Sequence, residues 1–348
     1  MKACAMHKFS FAQRFSIAGR AVGQDEPTYI IAEAGVAHFG SLEKAKRLVD
    51  LAVDAKADAV KFQIFKTEEL VSGASEEWRN RLSKRELPYE AFAEIKAYCD
   101  ARGITFFATA HDRPSLGYLA KLDVPAYKIG SGEVGNWGFL AEVASKGKPV
   151  ILSTGMYSMD QVGEALRAMA ATGNREIAVL HCVTRYPVAP GEVNLRAIQS
   201  IRDNFDVVSG YSDHTRGFHF PLAAAALGAR VIEKHITLDY DVPDAQDWKV
   251  SCGVDDLHLM VAQIREIEAG LGSGEKTMTA SEREGAVWAR KSLVAARDIC
   301  IGEVIDETML AAKRPGTGIE PCKIGEVLGR SAREDIPKDS IICMEKLS

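Results

Sequence analysis

Short apolar runs that break into polar clusters, each followed by a stretch of helical periodicity, recur through most of this chain. Runs at residues 29–32, 59–63, 104–108, 126–129, 149–152, 177–180, 207–210 and 230–232 read as buried strands, being too short for helices and bounded by polar or turn-forming residues. Helical patterns follow at 41–55, with Ser41 as the expected N-cap, and at 89–102, 114–121, 137–145, 159–171, 195–204, 222–228 and 255–271. Eight strand–helix units in roughly 240 residues have the size of a (β/α)8 barrel. A doubly wound α/β sheet competes, but it gathers its chemistry near one switch point, whereas here polar clusters follow every strand.

The flanks differ from this core. Residues 1–28 form a leader, part of which suits a small hairpin over the bottom of the barrel. The barrel domain ends near 272, and residues 273–287 are polar and Gly/Ser-containing, as in a linker. Residues 288–348 alternate short apolar runs with turn signals, which predicts a small β-rich domain with little core of its own.

Composition narrows the partners. The 348 residues carry a net charge of −5 without a basic tract, which argues against nucleic acid or an anionic membrane and for a small metabolite. No 18-residue apolar run or secretory h-region is present. The 7 cysteines are scattered, odd in number and without paired zinc spacing, so they read as reduced thiols of a cytoplasmic protein.

Alternation along the strands then gathers chemistry. Side chains two apart share a face, so Ser212 projects with His214, Glu233 with His235, and Lys61 with Gln63. Two imidazoles ending neighbouring strands beside carboxylates are candidate metal ligands; the plainer reading is hydrogen-bonded surface histidines. Lys61 and Lys128, with Thr109, Ser131 and the Ser153-Thr-Gly155 turn, make a cradle for phosphate or carboxylate, unless each lysine merely snorkels to solvent. Glu33, Glu133 and Glu233 are either acid/base groups or charge partners of those lysines. Gly132, Gly155 and Gly210 read as turn residues, and Cys182 as packing. These residues alone describe a metal-assisted barrel enzyme acting on an anionic small molecule.

The ordered series Ile31-Ala-Glu-Ala-Gly-Val36 with His38 and Gly40, Lys61-Phe-Gln63, Lys128-Ile-Gly-Ser-Gly-Glu133, Ser153-Thr-Gly-Met156, His181-Cys with Tyr186-Pro187, Gly210-Tyr-Ser-Asp-His214, Glu233-Lys-His235 and Arg314-Pro-Gly-Thr-Gly318 resembles the sialic acid synthase family. Its spore-coat polysaccharide E-like members have the most similar flavour. The resemblance runs from about Phe15 to the end. It implies a (β/α)8 barrel followed by an antifreeze-like (SAF) domain, and condensation of phosphoenolpyruvate with an N-acyl mannosamine-type aldose to a nine-carbon 2-keto sugar acid plus phosphate. By the same resemblance His214 and His235 hold a divalent manganese or magnesium ion. Lys61, Thr109, Lys128, Ser131, Ser153 and Ser212 fall on phosphoenolpyruvate positions, and Gln63, Tyr186, Glu233, Asp247 and Arg314 on sugar-side positions. Glu33 or Glu133 handles the attacking water. The family pattern also implies a domain-swapped homodimer in which Arg314 reaches the barrel mouth of the other subunit.

Departures from the pattern fall mostly on the sugar side. Ala37 and Thr184 stand where asparagines are usual, Ala110-His111 replaces a common Pro-Phe, and Asp244-Ala-Gln-Asp247 is one residue longer than the usual segment. Two other classes remain open at this level: a metal-dependent barrel hydrolase, although the first strand has no His-X-His, and a non-catalytic carbohydrate-binding protein.

Overall fold

A computed structural model describes residues 10–348 except Asp244; the start of the leader, with Cys4, and Asp244 lie outside the described residues. The chain divides into two compact units, Met1–Gly272 and Ser273–Ser348.

In the first unit an antiparallel hairpin of β1 (Arg14–Ile17) and β2 (Arg20–Gly23) precedes eight parallel strands. These are β3 (Tyr29–Gly35), β4 (Ala59–Ile64), β5 (Thr105–Ala110), β6 (Tyr127–Ile129), β7 (Val150–Ser153), β8 (Ile177–Cys182), β9 (Val208–Asp213) and β10 (Val231–His235). Each pairs with the next and β10 returns to β3, closing a barrel. The doubly wound alternative is thereby excluded, since an open sheet has edges. Helices follow every strand. Ser41 caps Leu42–Asp54 by accepting from the Lys44 amide at 3.2 Å, and Tyr89–Arg102 ends at Gly103, whose φ of 72° suits only a residue without Cβ.

The inward face of the strands changes character along their length. Tyr29, Ile31, Ala59, Phe107, Ala126, Ile151, Ala178, Leu180, Val208 and Val231 form one apolar cluster with Phe15, Ile17 and Val22 of the hairpin. The hairpin therefore seals the N-terminal end of the barrel. Burying each of its large side chains is worth about 1.5–3 kcal/mol. Two residues further along the same strands, or four on β9, the inward positions become Glu33, Lys61, Thr109, Lys128, Ser153, Ser212 and Glu233, all buried. The opposite parity, including Val60, Phe62, Phe106, Leu152, Val179 and Ile232, packs against the helices. Asp213 and Lys234 are charged residues on that outer face: both are fully buried, and Lys234 Nζ meets Asp213 Oδ2 at 2.5 Å.

Gly210 is not a turn residue, as expected from sequence, but an interior position of β9. A Cβ there would collide with the Val231 carbonyl and sit 3.0 Å from its carbon, so the glycine allows two strands to approach across the barrel wall.

In the second unit, the stretch expected as a linker contains the helix Ala280–Ala289, started by a capping box between Thr279 and Glu282. Strands β11 (Ser292–Ala295) and β12 (Leu310–Lys313) pair antiparallel. The expectation of little core is corrected: Leu293, Ile299, Ile305, Val327, Ile336, Ile342 and Leu347 bury together, because turns and isolated bridges rather than long strands fold the apolar runs inward.

Candidate active site

Above the apolar floor the strand ends enclose a cavity of about 240 Å³. Two wider grooves, about 450 and 640 Å³, lie on the helical wall beside Asp50 and Asp255 and in the insertion after β4 beside Lys66 and Arg79. Neither gathers buried charge. The smaller cavity does.

One side is built on β3 to β7. Lys61 Nζ stands 2.7 Å from Glu33 Oε2 and donates to Thr109 Oγ1 at 2.9 Å. Lys128 Nζ donates to Ser153 Oγ at 2.7 Å and to the Ile129 carbonyl at 3.2 Å. Both ammoniums also approach Glu233, Lys61 at 3.7 Å and Lys128 at 3.6 Å. Burial pushes the Lys61 ammonium toward deprotonation, but Glu233 and Glu33 reverse this and its pKa lies above the ordinary lysine value. For Lys128 burial wins over Glu233, helped by the repulsion of Lys61, and the pKa is lowered. Gln63 Nε2 donates to Glu33 Oε1 at 2.9 Å. Gly35, with φ 52°, lets that contact pass, since a Cβ would stand 3.2 Å from Glu33 Oε1 and 3.3 Å from Gln63 Nε2.

The Ser153-Thr-Gly155 turn approaches the loop after β6 closely enough for the Gly155 amide to donate to Ser131 Oγ at 2.9 Å. A Cβ on Gly155 would collide with Thr184 Oγ1. Neither lysine snorkels: both side chains are 2% exposed, which is sustainable because each ammonium has charged and polar partners.

The other side is built on β8 to β10. His214 Nδ1 donates to the Val183 carbonyl at 2.8 Å, which fixes the tautomer and leaves Nε2 as the lone-pair nitrogen, reached by the Tyr186 hydroxyl at 2.8 Å. The His214 and His235 ring centroids are 5.3 Å apart, and Tyr186 stacks on His214 at 4.1 Å. Ser212 Oγ donates to Glu233 Oε1 at 3.1 Å. Burial lowers the His235 pKa against the opposing charges of Asp247 and Glu33, so its imidazole is neutral and able to ligate. These donors fit a divalent ion bound by two imidazoles, with one nitrogen oriented by a backbone carbonyl as metal-binding histidines usually are. Among the described residues no group of three or more His, Cys, Asp or Glu converges on one point, so any further ligands would be substrate or water oxygens.

Two of the expected barrel residues lie elsewhere. Glu133 does not line the cavity: Ser131–Glu133 is a single helical turn rather than extended chain, so the alternation that would align Glu133 with Ser131 is lost. Its carboxylate accepts from Asn136 Nδ2 at 2.7 Å. Asp247 begins a short helix outside the lining and acts on His235 and Tyr186 through its charge. Arg314 belongs to the second unit, where its guanidinium lies 5.8 Å from the Trp288 ring centroid. Conversely, His111, Cys182 and Thr184 line the cavity. His111 was legible as the residue two beyond Thr109.

The NeuB family profile matches residues 48–276 and the SAF domain profile residues 290–348. Over 330 residues the chain is 40% identical to an N,N'-diacetyllegionaminic acid synthase of Campylobacter jejuni, spanning 90% of this chain and 98% of that protein. It is 33% identical to the human N-acetylneuraminate-9-phosphate synthase over 343 residues, 94% and 95% of the two chains. The crystal structure of an N-acetylneuraminic acid synthetase from Leptospira borgpetersenii, in complex with citrate, superposes with a TM-score of 0.74 at 36% identity, covering 79% of this chain and 96% of that one. The chain is a member of the NeuB family, a (β/α)8 barrel carrying a C-terminal SAF domain.

Proposed function

We propose that this protein is a nonulosonic acid synthase, a transferase that joins phosphoenolpyruvate to an N-acyl mannosamine-type aldose and releases phosphate. The observation that carries the reading is the division of one buried cavity into a two-ammonium end and a two-imidazole end. The formal charges of Lys61, Lys128, Glu33 and Glu233 cancel, so the cavity suits an anionic substrate entering together with a divalent cation. Lys61 and Lys128, with the hydroxyls of Thr109, Ser131, Ser153 and Ser212, would hold the phosphate and carboxylate. Gln63, Tyr186 and Glu233 would face the sugar.

Carbon–carbon bond formation consumes the enol π pair of phosphoenolpyruvate at the aldehyde carbon, water adds at C2, and loss of phosphate leaves the ketone. Manganese or magnesium held by His214 and His235 would supply Lewis-acid polarisation of the aldehyde. Glu33, which lines the cavity beside Lys61 and Gln63, would accept the water proton. It replaces Glu133, which stands off the cavity.

Incubating the protein with phosphoenolpyruvate, manganese and a panel of N-acyl aldoses, free and phosphorylated, should give one product whose mass equals the sum of the two substrates plus water less phosphoric acid. No condensation product with any acceptor would favour a non-catalytic carbohydrate-binding protein. The relatives' names differ in product, and Ala37 and Thr184 are where the acceptor question bears on this chain. His214→Ala and His235→Ala should each lose manganese binding, read by calorimetry, while remaining folded; unchanged affinity in both would refute the ligand pair.

The same reading includes a cytoplasmic homodimer in which Arg314 of a second copy completes the sugar end. Exposed Val287 and Trp288 beside Arg314 in the second unit support a surface used for docking. Mixed His235→Ala and Arg314→Ala subunits should recover activity on exchange; exchange without recovery would remove Arg314 from that role.

A further inference from the structure

His111 is a half-buried cavity residue for which the chemistry above has no use. It directly follows β5 on the parity of Phe107 and Thr109, its amide still donating to the Ile64 carbonyl at 3.1 Å, and so projects inward as they do. It lines the cavity beside Lys61, Lys128 and Ser131. Phe65 meets its ring edge-on at 6.4 Å between centroids, and Gly130 lies against its other side. Yet no protein group among the described residues hydrogen-bonds either ring nitrogen. Both ring nitrogens are therefore free to meet a ligand in the cavity.

We propose that His111 is a phosphate-contacting residue, its ring N–H donating to the phosphate of phosphoenolpyruvate between the two ammonium groups of Lys61 and Lys128. The assignment deepens the synthase reading and rests on it. Burial, and then the charges of Lys61 and Lys128, hold the His111 pKa down to about 4, so at neutral pH the ring is uncharged and carries one N–H donor and one acceptor. It adds a directional donor without adding a third positive charge, which favours recognition of phosphate while still permitting its release. The position also revises the placing of the Ala110-His111 departure: it bears on the phosphate end.

His111→Phe keeps the ring and removes the donor, whereas His111→Asn keeps a donor and removes the ring. Calorimetric titration with phosphoenolpyruvate and with inorganic phosphate, manganese present and aldose absent, should show both ligands weakened about tenfold in His111→Phe, the worth of one hydrogen bond to a charged group. His111→Asn should recover part of that loss. In turnover, the phosphoenolpyruvate KM should rise with the aldose KM unchanged. Phosphoenolpyruvate affinity within twofold of wild type in His111→Phe, or an effect confined to the aldose KM, would overturn the assignment. If the wild-type protein binds phosphoenolpyruvate and only the variant result fails, the synthase reading survives; if the wild-type protein does not bind it, both fall.

Discussion

On the outer side of β9 and β10, Lys234 and Asp213 meet at 2.5 Å with both side chains at 0% exposure. On the inner side of the same barrel end, Lys61 and Lys128 stand 3.7 and 3.6 Å from Glu233 around an open cavity. The outer pair is saturated. Lys234 Nζ also donates to the Thr215 carbonyl at 2.8 Å, and Asp213 accepts from the Tyr211 hydroxyl at 2.8 Å, the Thr215 amide at 3.0 Å and the Thr215 hydroxyl at 3.1 Å. In the inner set the contacts of both ammoniums to Glu233 are longer, and an incoming anion can replace them. Because Asp213 lies between Ser212 and His214, and Lys234 between Glu233 and His235, the outer pair fixes the strand ends that carry the inner chemistry. One ion pair holds the frame, and the other set exchanges partners.

Breaking the outer pair should have the largest effect. Lys234→Met leaves Asp213 buried and uncompensated, and should cost about 3–5 kcal/mol of barrel stability in urea unfolding. Adding Asp213→Leu should return much of that loss by making both sites apolar. A Lys234→Met variant as stable as wild type would contradict the division of roles.

The inner set should respond differently. Lys128→Ala should raise the phosphoenolpyruvate KM by about tenfold to a hundredfold, the loss of one charged contact, with the aldose KM little changed. Its urea midpoint should move less than that of Lys234→Met. A change confined to the aldose would mean that the two ends of the cavity are reversed.

The smallest effect is on pH dependence. Burial pushes the Glu233 carboxyl up, but Lys128 and Lys61 more than reverse this and leave it below the ordinary range. Its folded pKa is therefore lower than its unfolded value of about 4.3. The unfolded chain takes up the proton first as pH falls, so the stabilisation is complete well above pH 4.3 and is lost progressively below it. In melts between pH 5 and 3, Glu233→Gln should flatten the decline of Tm with acid. Parallel curves for the two proteins would show that Glu233 gains nothing from its ammonium neighbours.

Much of this arrangement was legible in the sequence because a barrel reduces to parity. Lys61 with Gln63, Ser212 with His214, and Glu233 with His235 could be assigned to one face from spacing alone, and closure of the sheet put those faces into one cavity. Parity failed where the backbone left the extended state, as at Glu133 in its single helical turn. It was silent about the outer face: nothing in Tyr211-Ser-Asp-His214 distinguishes the buried Asp213 from a solvated one until Lys234 is seen opposite. Gly210 read as a turn because its true reason, the nearness of the Val231 carbonyl, is a contact with the next strand, which spacing along one strand does not show. The second unit's core was missed because its apolar residues are brought together by turns and isolated bridges, which leave no periodic signal.

The central claim is that phosphoenolpyruvate is consumed in this cavity by addition to an aldehyde. The most direct test is phosphate release from phosphoenolpyruvate by the wild-type protein with manganese, in the presence and absence of the N-acyl aldose mixture. Release that requires both the aldose and the metal, and matches the newly formed keto acid one for one, is the result predicted here. Phosphate released at the same rate without aldose would instead identify a metal-dependent hydrolase and contradict the synthase account.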